Sequence, residues 1–96
     1  MKTEKILAVF KKNNIPQTGL FPTIKIIKLS DNSIVINDVA MIEVEDGGYT
    51  YDYDTYEYNN QYFIICDGLD STLDGGRYVE AAFDSTTSPP VASFDN

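Results

Sequence analysis

Residues 41–58 read MIEVEDGGYTYDYDTYEY, and their alternation decides the fold class. Ile42 and Val44 alternate with Glu43 and Glu45. After the turn, Tyr49, Tyr51 and Tyr53 alternate with Thr50, Asp52 and Asp54. Period two marks strands with one wet face. Asp46-Gly47-Gly48 separates the two halves, and glycine takes positive φ there without steric cost. The pattern predicts a hairpin pairing Ala40–Glu45 with Gly48–Asp54. A two-residue loop at Asp46-Gly47 sets Val44 opposite Tyr49 and Ile42 opposite Tyr51. One at Gly47-Gly48 sets Val44 opposite Tyr51 and Ile42 opposite Tyr53. Both gather apolar residues and tyrosines on one face. A three-residue loop sets the apolar positions against Thr50 instead, because a slip of one residue reverses every side chain, so an even-numbered loop is expected.

Working outward, the same short period continues. Glu4–Lys11 reads as a first strand, with Ile6, Ala8 and Phe10 on one face and Leu7 and Val9 on the other. Asn13–Gly19 is a turn region by composition. Phe21–Ser30 is a second strand, with Pro22 at its start, where a ladder donor is not yet needed. Ile24 and Ile26 share one face and Ile27 and Leu29 the other, so either both faces are covered or a bulge lies between Ile26 and Ile27. A two-residue loop at Asp31-Asn32 sets Leu29 against Ile34 and Ile27 against Ile36. Ser33–Ile36 is a short third strand. Tyr56 and Tyr58, in the polar loop Thr55–Asn60, are expected to rest on a sheet edge. Gln61–Asp67 is the most apolar strand and takes a central position. Asp67–Gly76 is a long loop and Arg77–Phe83 the last strand. The expected core holds Ile24 or Ile26, Val44, Ile64 and Val79. About seven short strands and no long helix predict an all-β fold, a single antiparallel β-sandwich of Ig-like kind. Residues 1–84 form that domain. Residues 85–96, STTSPPVASFDN, form an extended or flexible C-terminal arm.

The chain has 96 residues, enough for one domain. It has no histidine, which removes the usual general base and metal ligand, and a single cysteine, Cys66, which excludes an internal disulfide and a cysteine zinc site. Cys66 lies in an apolar run and reads as a buried, inert thiol. No signal peptide or membrane span is evident, since Ile6–Phe10 is only a short apolar run. The formal charge of −8 argues against nucleic-acid binding through phosphates. Its distribution is uneven. Residues 1–30 carry six lysines against Glu4, a balance of +5; residues 31–96 carry Arg77 against fourteen acids, a balance of −13. Either basic strands lie beside acidic ones within the fold, or two surfaces of opposite sign help copies or partners dock.

Chemistry is sparse. Asp52-Tyr53-Asp54 begins like a calcium loop but lacks the glycine and distal glutamate such a loop needs. Asp67, Asp70 and Asp74 could gather around a cation or stay solvated. Asp52 and Asp54 point outward from a strand and do not form the paired carboxylates of a glycosidase. Tyr49, Tyr51 and Tyr53 are either ordinary sheet packing or a platform on which sugar rings stack, the alternative function being a carbohydrate-binding module. No catalytic residues, cofactor or metal are assigned, and the chain is read as non-enzymatic.

The order of motifs carries a resemblance. Thr18, Gly19, Leu20 and Pro22 form a "TGL-P" turn. Glu45, Gly47, Gly48, Tyr49, Tyr51 and Asp52 form an acidic, glycine-rich hairpin with a Y-x-Y-D strand. Tyr62, Asp67 and Gly68 form a "Y…DG" strand. Together they resemble the small β-sandwich domains of structural proteins in tailed bacteriophages: head-accessory, neck and tail proteins. The resemblance covers roughly residues 6–83, and Gly48 stands where an aromatic residue usually precedes the ladder. It implies a non-enzymatic virion protein made in the host cytoplasm. Such a protein docks in multiple copies onto capsid, portal, neck or tail proteins, with no nucleic acid or membrane as partner. On that expectation Lys11, Lys12 or Lys28 lies near an acidic partner surface. Pro89 and Pro90 hold the arm extended, so that Val91 and Phe94 lie across a neighbour.

Overall fold

The computed structural model describes residues 3–85 and the backbone of residues 93–95. All of its regular structure is strand, apart from one short 3-10 turn, and two sheets enclose one core. The strands are β1 (Glu4–Val9), β2 (Lys11–Lys12), β3 (Ile15–Pro16), β4 (Thr23–Lys28), β5 (Ser33–Ala40), β6 (Ile42–Glu43), β7 (Gly48–Tyr53), β8 (Gln61–Asp67), β9 (Tyr78–Asp84) and β10 (Ser93–Asp95). One sheet has the order β10-β1-β7-β6 and the other β5-β4-β8-β9; β2 and β3 form a small separate hairpin. The chain crosses between sheets after β3, β5, β7 and β9. The orders β1-β7-β6 and β5-β4-β8-β9 are the B-E-D and C′-C-F-G layout of an Ig-like sandwich. Every pairing is antiparallel except β10, which runs parallel to β1 with Ala8 opposite Phe94. Pro89, Pro90 and Val91 lie outside the described residues.

Alternation builds the core. Ile6, Ala8 and Phe10 face inward from the first strand and its extension, Ile24 and Ile26 from β4, and Tyr62, Ile64 and Cys66 from β8. As expected, β8 is central, between β4 and β9. Tyr53, Tyr56, Tyr62 and Phe83 pack edge-to-face or stacked at one end, with ring centroids 5.2–6.4 Å apart. Tyr62, at the start of β8, accepts a hydrogen bond from Glu57 N at 2.9 Å, closing the β7–β8 connection in the manner of a tyrosine corner. Ser85 is also tied in: its single hydroxyl proton has two carbonyl acceptors in reach, Glu57 O at 2.7 Å and Asn60 O at 2.8 Å, and its oxygen accepts from Asn60 N. At the other end Phe10 meets Tyr49 edge-on, and Gly68 leaves room for Phe10 and Leu73, which a Cβ would approach within 2.6–3.0 Å.

Several expectations need correction. The bulges lie in β5, not β4. β4 pairs regularly with β8, whereas its partners on β5 shift between Ile24 and Ile26 and again between Ile26 and Ile27. The extra β5 residues absorb the sheet's twist and let that strand run on to Ala40. Lys28 pairs with Ser33 and Ile27 with Ile34, so the loop holds four residues, Leu29–Asn32, with Asn32 at φ +58°. Ile27 faces outward, in a rung that joins Ile34, Ile27, Phe63 and Ala82 across the sheet. Tyr56 is core rather than edge, whereas Tyr58 is exposed.

The largest correction concerns the central hairpin. Ile42 pairs with Thr50 and Glu43 with Tyr49, and Val44 N donates to Gly48 O at 2.8 Å. The loop is therefore the three residues Glu45-Asp46-Gly47, with Asp46 at φ +64° and Gly47 at φ +79°. Tyr49 and Tyr53 face the core, while Ile42 and Val44 turn outward; Val44 is 45 % exposed and is not a core residue. The other expected core positions, Ile24, Ile26, Ile64 and Val79, are buried.

Candidate docking corner

At the Phe10–Tyr49 end, the segment 15–22 is fastened to the hairpin 42–49. The Tyr49 ring is buried, and its hydroxyl reaches the seam between the two segments. It accepts from Leu20 N at 3.0 Å and donates to Gln17 O at 2.7 Å. Burial raises the phenol's pKa and so favours the neutral hydroxyl that donates to Gln17 O, while the hydrogen bond from Leu20 N opposes that shift. Glu43 Oε1 accepts from Gly19 N at 3.0 Å, and Met41 N donates to Pro22 O at 2.9 Å. Gly47 lies so close that an added Cβ would meet Pro16 Cβ at 2.9 Å and Gln17 O at 3.0 Å. Leu7 and Val44 flank Gly48, where an added Cβ would stand 3.2–3.3 Å from both. Six of the residues named in the resemblance, Gly19, Leu20, Pro22, Gly47, Gly48 and Tyr49, thus meet in one corner, whereas Tyr62 packs at the other end of the core.

That corner exposes large apolar side chains from both segments. Phe21 is 82 % exposed, Ile42 71 %, Ile15 62 % and Val44 45 %. Scattered exposed apolar residues are ordinary, but here four of them stand on two segments that hydrogen bonds hold together. Among them stand three acids, Glu43, Glu45 and Asp46, all exposed. Reading from sequence missed the corner because the odd loop is set by a tertiary contact, Gly47 against Pro16 and Gln17, which no local pattern displays.

The other nominated residues fall elsewhere. Tyr49 and Tyr53 are buried and Tyr51 is half-buried on the same inward face, so the ladder is core packing and offers no platform for a sugar ring. Lys28 pairs with Glu57 at 2.8 Å and Lys12 with Asp70 at 3.7 Å. Lys5–Asp52, Lys25–Asp38 and Arg77–Asp67 are further pairs. Basic N-terminal strands therefore lie beside acidic segments, and much of the charge split closes within the fold. Lys11 also has an interaction partner. Of the arm, Phe94 lies on β10 against β1. The acids of the 67–76 loop are held apart. Asp67 accepts from Arg77 Nε and Nη2 at 2.9 and 2.7 Å, Asp70 from Thr72, and Asp74 from Asn13 N and Asn14 N. Hydrogen bonding to Arg77 holds the Asp67 carboxyl below the usual carboxylate range. Among the described residues no group of three or more His, Cys, Asp or Glu is placed to hold a metal ion. Among those residues, too, no helix is long and apolar enough to cross a membrane.

Comparison with known proteins yields no matching family model, no matching curated protein and no matching solved structure.

Proposed function

We propose that this chain is a non-enzymatic structural protein of a tailed-bacteriophage virion, a head-decoration, neck or tail accessory that docks in multiple copies onto other virion proteins. The observation that carries the reading is the corner formed by segments 15–22 and 42–49, where Ile15, Phe21, Ile42 and Val44 face solvent on a hydrogen-bonded frame. Orienting four large apolar residues outward disfavours the isolated chain and suits one that is covered in an assembly. Two of the three motifs resembling phage β-sandwich proteins, the TGL-P turn and the glycine-rich hairpin, contribute residues to the same corner, which supports the choice of a virion. A carbohydrate-binding role through the tyrosines has no such support, since the ladder is inward.

The test is particle composition. The chain, tagged and produced during phage growth, is expected to co-purify with particles and to appear in a reconstruction at symmetry-related positions with the corner covered. Recovery only outside particles, or a placement with the corner facing solvent, contradicts the reading.

A further inference from the structure

We infer that the corner receives a protein surface that is apolar at its centre and basic at its rim, supplied by a different protein and not by a second copy of this chain. The inference rests on the reading of the corner as a docking site and adds the partner's chemistry.

Charge carries the step. The turn that displays Ile42 and Val44 also displays Glu43, Glu45 and Asp46 within six residues. A two-fold contact of corner on corner would bring the three acids of one copy into the same interface as the three of the other, and like charges brought together at an interface disfavour it strongly. The remaining faces of a second copy do not supply the opposite sign. An ion pair is neutral, so whichever pairs form, the chain keeps fifteen acids against seven cationic residues, a formal charge of −8. Each copy therefore presents excess negative charge outward. The same sign turns away nucleic acid and anionic headgroups. A basic-rimmed apolar surface satisfies both halves of the corner: it covers Phe21, Ile42 and Val44 and gives Glu45 and Asp46 counter-charges.

The experiment uses the full chain, isotopically labelled, titrated with two short synthetic peptides of equal apolar content, one alternating phenylalanine with lysine and the other phenylalanine with glutamate. Amide shifts report where each binds. The lysine peptide is expected to perturb residues 19–22 and 42–47 and to bind at least about tenfold more tightly than the glutamate peptide. The double variant Glu45→Gln, Asp46→Asn keeps a residue that tolerates left-handed backbone at position 46. It is expected to lower that preference by about threefold or more, the size of two partly screened surface charges. Ile42→Ser is expected to weaken both peptides. Equal binding of the two peptides at the corner overturns the basic partner and leaves the docking site standing. Binding of both peptides away from residues 19–22 and 42–47 overturns the docking site itself.

Discussion

Gly47 holds its backbone at φ +79° with Pro16 Cβ and Gln17 O where a side chain would begin, whereas Gly19, at φ +74°, has open space around it. The pair separates two costs. Left-handed backbone alone disfavours an L-residue by about 1–2 kcal/mol, so Gly19→Ala is expected to lose about that much stability. Gly47→Ala adds the clash, and denaturant titration should show a loss larger by at least about 1 kcal/mol, as overpacking gives. Equal losses would mean that Pro16 moves aside freely. Asp67 gives a pH signature. Its folded pKa is lowered, first by the hydrogen bonds from Arg77, so its contribution is fully present above the unfolded carboxylate value of about 4 and is lost as pH falls through the lower folded value. Asp31 and Asp70 are lowered by bonds to Ser33 and Thr72 and add in the same direction. Unfolding midpoints should therefore drop below about pH 4, and Arg77→Gln should make that drop shallower. At the other extreme, burial pushes the Cys66 thiol up to about 12. The unfolded thiol ionises first, so this contribution fades as pH rises above about 8.5.

The β6–β7 hairpin shows which parts of an element its own residues determine. Period two made the second strand of the hairpin legible, but of the first, expected over Ala40–Glu45, only Ile42–Glu43 pairs with it, since Ala40 ends β5 opposite Thr23 and Glu45 begins the loop; the central place of Gln61–Asp67 and the burial of Ile24, Ile26 and Ile64 were also legible. Register was not. It depended on Gly47 approaching Pro16 across the fold, and on β5 absorbing two extra residues where β4 stays regular. Both are tertiary choices that override local turn chemistry. The lysines nominated for docking were visible as a basic stretch, but their partners Asp70 and Glu57 lie far along the chain. The consequence can be measured as a contrast between two isoleucines. Ile64 is fully enclosed, and Ile64→Ala is expected to lose about 2–5 kcal/mol. Ile42 is turned outward, and Ile42→Ala is expected to lose under about 0.5 kcal/mol. Urea unfolding of the two variants decides it; comparable losses would restore the even-loop register, with Ile42 facing the core.

At the scale of the molecule, several basic residues of the first thirty pair with acids from the rest of the chain, and the corner sets exposed acids beside apolar side chains that face solvent. Salt should weaken association at that corner, since exposed charges are screened within about 8–10 Å near physiological ionic strength. Stability and docking should then separate, because the outward residues of the corner add little to the fold. The most direct measurement is the occupancy of the double variant Ile42→Ser, Val44→Ser in purified particles, taken together with its unfolding midpoint. An unfolding midpoint close to that of the unsubstituted chain, with occupancy reduced at least about tenfold, is the predicted result, a change of about 1.4 kcal/mol or more in association. Full occupancy at an unchanged midpoint would contradict the account, because the corner would then be exposed without being used.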